Sequence, residues 1–304
     1  RYILELFRGP TSAFKDVAVS MLPQLMTASR KKTGLTEDLV ILTATSGDTG
    51  KAALEGFHDV EGIKILVFYP NGGVSAVQKA QMVTQRGSNV AVVAINGNFD
   101  DAQTGVKNAF AKAAGQPGSV HLSSANSINI GRLAPQVVYY FKAYADLVRA
   151  KTIACGDPVS FVVPTGNFGN ILAGYFAKKL GLPVKKLVCA SNENHVLTEF
   201  LNYGRYNRLR PFYKTTSPSM DILVSSNLER LLFLMSDGDD CLVSSLMRAL
   251  NEKGSYQIPA PMLQKIQAEF SAGYCSDQEA ADAIRSVWET SRYLMDTHTA
   301  VAWQ

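Results

Sequence analysis

Charge is scarce in this sequence. Charged residues make up 18% of the 304, against about 25% in ordinary soluble domains. Hydrophobic residues reach 46%, enough apolar surface to offset the entropy of ordering, which excludes a disordered chain. No large charge of one sign builds up either. Thirty Lys and Arg against 26 Asp and Glu leave +4, too little and too scattered for a nucleic-acid binder, though suited to small anionic molecules. Long hydrophobic runs are also missing, and charges interrupt each one well short of the ~20 residues a membrane-spanning helix needs. Cysteine is confined to Cys155, Cys189, Cys241 and Cys275. With no CxxC pair and no regular framework, these read as reduced, mostly buried thiols in a cytoplasmic protein. His58, His121, His195 and His298 lack metal-ligand spacing and read as structural. The acidic patch Asp237-Gly238-Asp239-Asp240 is too short for an EF-hand loop and reads as a solvated turn. Repeats, low-complexity tracts and a cleavable leader are not visible, and both ends look cut.

What is present is alternation. Apolar runs at 40–42, 63–69, 90–95 and 120–123 read as strands, separated by amphipathic stretches at 50–57, 74–85 and 99–114 that read as helices. After a long helix expected over 131–149, strands at 159–163 and 186–190 flank a helix at 169–180. Such spacing argues for parallel βαβ units with both sheet faces covered. From about 202 to 223 the chain turns rich in Arg, Tyr, Pro and Ser and reads as an irregular connection, followed by helices at 228–235, 242–251, 261–272 and 277–294. The fold expected is α/β in two parts. A smaller domain covers 36–130, and a larger one takes 1–35 plus 131–304. A crevice beside the carboxyl ends of the strands is the expected place for a ligand.

Four segments carry chemistry. In Gly9-Pro10-Thr11-Ser12-Ala13-Phe14-Lys15-Asp16 a turn of small residues delivers Lys15 to the start of a helix. The positive end of the helix dipole disfavours a cation there and favours the neutral amine that a Schiff-base lysine needs. The plain alternative is a solvated lysine beside Asp16. In Thr43-Ala44-Thr45-Ser46-Gly47-Asp48-Thr49-Gly50, hydroxyls and glycines stand where a strand opens into a helix, an arrangement able to bind a carboxylate or phosphate. Simple capping by Ser46 or Asp48 is the alternative. In Pro164-Thr165-Gly166-Asn167-Phe168-Gly169-Asn170, backbone N–H groups can cradle a phosphate without a cationic side chain. That loop matches neither the dinucleotide GxGxxG pattern nor the P-loop, which disfavours NAD and ATP, and an ordinary βα turn is its alternative. In Asn126-Ser127-Ile128-Asn129-Ile130-Gly131-Arg132, two amides, a hydroxyl and an arginine suit an anionic group, with Arg132 able to make paired charge-assisted bonds. A lone arginine in a first helical turn is more often solvent-facing.

Together these four segments resemble the long form of the threonine synthase family, pyridoxal-phosphate enzymes of fold type II, the architecture shared with tryptophan synthase β and the serine/threonine dehydratases. The resemblance runs over nearly the whole chain. It implies pyridoxal 5'-phosphate as cofactor and Lys15 as its covalent attachment point and catalytic base. Asp48 is implied beside the cofactor's ring oxygen, and Gly166, Asn167, Phe168, Gly169 and Asn170 around its phosphate. For the substrate, O-phospho-L-homoserine, it implies Thr45, Ser46, Thr49, Asn126, Ser127 and Arg132. The reaction implied is release of phosphate from Cγ and addition of water at Cβ to give L-threonine, in a cytoplasmic and monomeric enzyme of amino-acid biosynthesis.

Two departures from the wider group matter. Asp48 replaces the asparagine usual there, as in the long threonine synthases, and an acid beside a phenolate-like oxygen should share a proton with it. The partner for the pyridine nitrogen is expected beyond Gln304, and Thr299 is not assigned that role. A leading domain and a closing segment of the long form are likewise expected outside the chain. Three rival functions stay open: a fold-type-II amino-acid lyase or dehydratase, a threonine-synthase-like phospho-lyase, and a non-catalytic protein that keeps the fold. A nicotinamide oxidoreductase is the most distant, for want of the glycine fingerprint.

Overall fold

A computed structural model describes residues 1–45, 47–113 and 120–304, with Asp100 described by its backbone alone. The chain divides into two compact units, Arg1–Gln136 and Val137–Gln304.

The first unit runs α1 (Asp16–Thr33), β1 (Asp38–Ala44), α2 (Asp48–Phe57), β2 (Ile63–Pro70), α3 (Ala76–Val83), β3 (Val90–Ile95), α4 (Phe99–Ala113), β4 (Val120–Ser123) and one turn, α5 (Ile130–Leu133). Its sheet is fully parallel in the order β3-β2-β1-β4, with Ile41 opposite Ile65 and Leu42 opposite Leu66. Side chains alternate across the pleat, so one strand supplies two cores. Leu39 and Ile41 join Ile63, Ile65 and Val67 beneath Val19 and Leu22 of α1 and Ala53, Leu54 and Phe57 of α2. Leu42 and Ala44 turn the other way, with Leu66 and Phe68, onto Ala102 and Val106 of α4. Each fully buried Ile or Leu contributes about 1.5–3 kcal/mol, and a strand apolar on both faces can lie only inside a covered parallel sheet. The sequence grouped residues 1–35 with the larger domain; in the structure, α1 packs on α2 within the first unit.

The second unit comprises α6 (Val137–Arg149), β5 (Val159–Pro164), α7 (Gly169–Lys179), β6 (Val184–Ser191), α8 (Val196–Tyr203), β7 (Arg205–Asn207), α9 (Leu228–Met235), α10 (Asp240–Lys253), β8 (Ser255–Gln257), α11 (Ala260–Glu269), β9 (Phe270–Tyr274), α12 (Asp277–Ser291) and α13 (Thr297–Trp303). A parallel sheet in the order β5-β6-β9 is joined by a short antiparallel pair, β7 with β8. In that pair Tyr206 stacks on Tyr256 at 5.3 Å, and Phe200 meets both edge-on.

Two expected helices come out differently. The helix expected over 131–149 is interrupted: α5 gives way to a 3-10 turn at Ala134–Gln136 before α6 begins. Pro135 contributes by lacking the N–H that would continue the helical ladder, while Ala134 before it keeps helical angles, φ −54° and ψ −43°. The helix expected over 261–272 stops at Glu269, and Phe270–Tyr274 is a strand paired with β6. There Phe270 is buried against Phe168 and Tyr175, at 5.6 and 5.7 Å.

Candidate active site

The lysine of the first segment is positioned by its neighbour. Asp16 is buried, and its Oδ2 accepts the N–H of Thr11 at 2.9 Å and of Ala13 at 3.3 Å, while Oδ1 accepts the Thr11 hydroxyl. A Cβ at position 9 would lie 2.3 Å from Asp16 Oδ2, so the turn closes only on glycine. This loop sets Lys15 immediately before α1 in a helical conformation, with no side-chain cap on the helix.

Lys15 is not solvated. Only 12% of its side chain is exposed, and its Nζ lies 3.6 Å from Asp48 Oδ2. Burial pushes the Lys15 amine below the ordinary lysine range; Asp48 opposes that shift, and the positive charges of Arg132 and Lys51 add to it. A buried amine pulled toward its neutral form is a nucleophile and a base, which a surface lysine is not.

Asp48 opens α2 and holds more than one partner. Gln78 Nε2 donates to its Oδ1 at 2.8 Å, and Lys51 Nζ lies 3.8 Å from the same oxygen. Lys51 is buried and donates to the Thr11 carbonyl at 2.8 Å, tying α2 to the lysine loop. Neither Lys51 nor Gln78 was singled out from the sequence. Lys51 carries a faint signal, standing three residues after Asp48 on one helix face. Gln78 has only the Ser75-x-x-Gln78 pattern of a capping box.

The neighbouring loops are held by their own polar groups. Thr45 is buried, and its Oγ1 accepts the N–H of Gly47 at 2.9 Å and of Gly50 at 2.8 Å, so its own O–H is the donor left to offer. Thr49 is half-buried in the first turn of α2. Ser46 lies outside the described residues. Asn126 Nδ2 donates to the Ala44 carbonyl at 3.0 Å, joining the end of β4 to the end of β1, and Ser127 is half-buried beside it in sequence. Asn129 caps α5 through Gly131 N–H at 2.9 Å. Arg132 is only 4% exposed, and its Nη1 donates to the Ala125 carbonyl at 2.6 Å. Lys15, Asp48 and Arg132, drawn from three of the four segments, therefore influence one another electrostatically within one unit.

The remaining segment belongs to the second unit. Gly166 is hemmed in: an added Cβ would lie 2.8 Å from the Ser219 carbonyl and 3.1 Å from the Met220 Cα. Its own carbonyl accepts the Ser225 hydroxyl at 2.8 Å, and that of Asn167 accepts Asn227 Nδ2 at 2.9 Å. Phe168 is buried with φ 61°, in the left-handed region, and leads into α7 without giving it a side-chain cap. Gly169 is the first residue of α7, and Asn170 accepts the Tyr140 hydroxyl through Oδ1 at 2.6 Å. With both loop carbonyls held from behind, the uncapped N–H groups of the first turn suit an anion.

Near the end of the chain, Asp296 caps α13, accepting the N–H of His298 at 2.9 Å and of Thr299 at 3.2 Å, and also the Thr299 hydroxyl. His298 Nε2 accepts the Ser219 N–H at 3.2 Å, and Nδ1 faces Asp296 Oδ1 at 3.2 Å. Those partners call for the tautomer with its proton on Nδ1. Burial pushes the Asp296 carboxyl up, and the donors from His298 and Thr299 outweigh it, holding the group at about 2. No helix among the described residues is long and apolar enough to cross a membrane. Their one cluster of metal-ligand type, Asp239, Asp240 and Cys241, is fully exposed.

Comparison with known proteins gives a consistent set of similarities. A family model described as "Pyridoxal-phosphate dependent enzyme" matches residues 2–304. Threonine synthase-like 1 of Homo sapiens is 45% identical over 314 residues, covering 99% of this chain and 42% of the human protein. Threonine synthase of Pseudomonas aeruginosa is 41% identical over 303 residues, covering 99% of this chain and 62% of that enzyme. The crystal structure of PLP-bound threonine synthase from Brucella melitensis superimposes with a TM-score of 0.89 at 45% identity, covering 99% of this chain and 63% of that one. The chain thus spans less than half of the human relative and under two thirds of the others.

Proposed function

The chain belongs to the family of pyridoxal-phosphate-dependent enzymes, and on that premise we propose that it forms the catalytic part of a threonine synthase, converting O-phospho-L-homoserine and water to L-threonine and phosphate. The observation that carries this reading is the buried Lys15 amine, driven toward its neutral form within the reach of Asp48, Lys51 and Arg132. Similarity to threonine synthases over 98–99% of the chain supports the choice of reaction.

The residues present fit the cofactor. A phosphorylated aldehyde needs a buried amine pulled toward its neutral form, which the first unit offers in Lys15, and N–H donors for its phosphate, which the second unit offers in the loop Gly166–Asn170. When bound, pyridoxal phosphate supplies an aldehyde carbon that condenses with amines and a ring that accepts electrons. Lys15 is the attachment point, and its freed amine is the base for the substrate's Cα proton. Asp48, held by Gln78, fixes the electrostatic setting of that amine. Thr45, Ser46 and Thr49, together with Asn126, Ser127 and Arg132, hold the substrate's carboxylate and phosphate. Arg132 favours a phosphorylated substrate over free serine or threonine, because a guanidinium can make paired charge-assisted bonds to a phosphate.

Phospho-lyase activity is the second reading, kept because a relative at 45% identity is named threonine synthase-like 1 and not threonine synthase. There the substrate would lose phosphate and take up water to leave a 2-oxo acid and ammonia. Incubating the chain with pyridoxal phosphate and O-phosphohomoserine separates the two. Phosphate release matched by threonine supports the synthase; phosphate matched by 2-oxobutanoate supports the lyase. Release of 2-oxobutanoate from threonine alone, with none of either product from O-phosphohomoserine, would point to a dehydratase.

A further inference from the structure

We propose that Gln78 is a positioning residue for the lysine site, its amide holding Oδ1 of Asp48 so that Oδ2 is the oxygen turned to Lys15. The inference rests on the reading of Lys15 as the reactive amine.

The geometry fixes which way the amide points. Gln78 is the third residue of α3 and closes a capping box with Ser75: its N–H donates to Ser75 Oγ at 3.2 Å, and its Oε1 accepts the Ser75 N–H at 3.3 Å. With the oxygen so engaged, the NH2 end faces Asp48 at 2.8 Å. A carboxylate can only accept, so the reverse orientation would set oxygen against oxygen. The opposite wall is Gly47, at φ 144°, where a Cβ would lie 2.3 Å from Gln78 Oε1. The loop before α2 therefore leaves room for this amide by having no side chain.

The consequence reaches Lys15 through charge. The charged groups acting on its amine are Asp48 and Lys51 of α2 and Arg132 of α5. Asp48 alone favours the ammonium form. Its carboxylate is divided, with Oδ1 taken by Gln78 and faced by Lys51 at 3.8 Å, and Oδ2 facing Lys15 at 3.6 Å. A second negative group at position 78 would press Lys15 toward its charged form and remove nucleophilic amine.

Gln78→Glu separates this role from helix capping. Glutamate closes a capping box as well as glutamine does and has nearly the same volume, but it faces Asp48 with an acceptor. The test is trace acetylation of the full chain across a pH series without added cofactor, with Lys15 followed by peptide mass spectrometry. In the unsubstituted chain Lys15 titrates below an ordinary lysine. In Gln78→Glu its midpoint rises, with on the order of tenfold less labelling at a fixed pH below it, while the melting temperature changes little. Adding Asp48→Asn to Gln78→Glu shrinks the effect of position 78, as expected of residues that act through one another. An ordinary midpoint in the unsubstituted chain overturns the reading of Lys15 and this proposal with it. A low midpoint that Gln78→Glu leaves in place, or an effect of equal size without Asp48, overturns the proposal alone.

Discussion

Lys15 Nζ stands 3.6 Å from Asp48 Oδ2, close enough for strong electrostatic influence and longer than a good charge-assisted hydrogen bond of about 2.7–2.9 Å. Among the described residues, Asp48 is the one charged partner that favours the ammonium form; burial, Arg132 and Lys51 all act against it. The amine is therefore held below the ordinary lysine range against the pull of Asp48.

Asp48→Asn should move that balance in a known direction. With the carboxylate gone, every remaining influence on Lys15 lowers its midpoint, so the neutral fraction at a given pH rises. The expected change is on the order of one pH unit, or tenfold in reactive amine where most of it is charged. Acetylation of Lys15 followed against pH measures it, and a midpoint that stays or rises would count against the arrangement. In the holoprotein, borohydride reduction should leave the cofactor on the peptide containing Lys15, and Lys15→Ala should lose the label.

Asp296 makes a second pH-dependent statement. Its carboxyl is held at about 2, against 3.8 for a free side chain. A folded-state value below the unfolded one adds stability above the unfolded pKa, and that stability is lost as pH falls through the folded value. Stabilisation by Asp296 is therefore complete above about pH 5 and fades between about 4 and 2. Its side chain is half exposed, and solvent screens part of the effect. Asp296→Ala removes the N-cap of α13 and should cost about 1 kcal/mol near neutral pH. Thermal melts from pH 7 to pH 2 should show the variant and the unsubstituted chain converging at the acid end.

Legibility from sequence varied with the range of the forces involved. The strands β1, β2 and β3 were readable because Val40-Ile41-Leu42 and its counterparts are apolar on both faces, a pattern that suits a covered parallel sheet. β9 was not, because Phe270-Ser271-Ala272-Gly273-Tyr274 follows a helix without a turn signal and becomes a strand through pairing with β6, a partner about 80 residues earlier. The same division holds at the site. Lys15 was legible since its position before a helix is a local, electrostatic feature. Lys51 and Gln78 act through Asp48, and Gln78 does so from 30 residues away. Spacing along a chain carries no sign of such a contact until α3 is docked beside α2.

Gly166→Ala should be far more damaging than an ordinary glycine substitution. The added methyl would lie 2.8 Å from the Ser219 carbonyl oxygen and 3.1 Å from the Met220 Cα, both main-chain atoms that cannot swing aside. Overpacking of this kind costs about 1–3 kcal/mol. It should also shift the hydrogen bond from Ser225 that anchors the loop. Gly105→Ala, where an added Cβ meets nothing within 4 Å, is the matched control. It lies inside α4, where alanine exceeds glycine in helix propensity by about 1 kcal/mol. Denaturant unfolding should show the first variant destabilised and the second unchanged or improved.

The thiols offer a test of the core itself. Cys189 is fully buried in β6, and burial pushes its thiol up to about 12, against the hydrogen bonds of Thr165 and Ser191. Cys275 is also buried; burial, then Glu279 and Asp277, push it up to about 11. Alkylation requires the thiolate. At pH 8 a thiol with a pKa near 12 is ionised in only about one molecule in ten thousand, where an ordinary thiol is ionised in about a quarter. Cys155 and Cys241 are exposed. Iodoacetamide at pH 8 should therefore modify Cys155 and Cys241 first, with Cys189 and Cys275 reacting only once denaturant opens β6 and the segment after β9. Rapid labelling of Cys189 in the native chain would contradict its full burial in β6, whatever the outcome at the lysine.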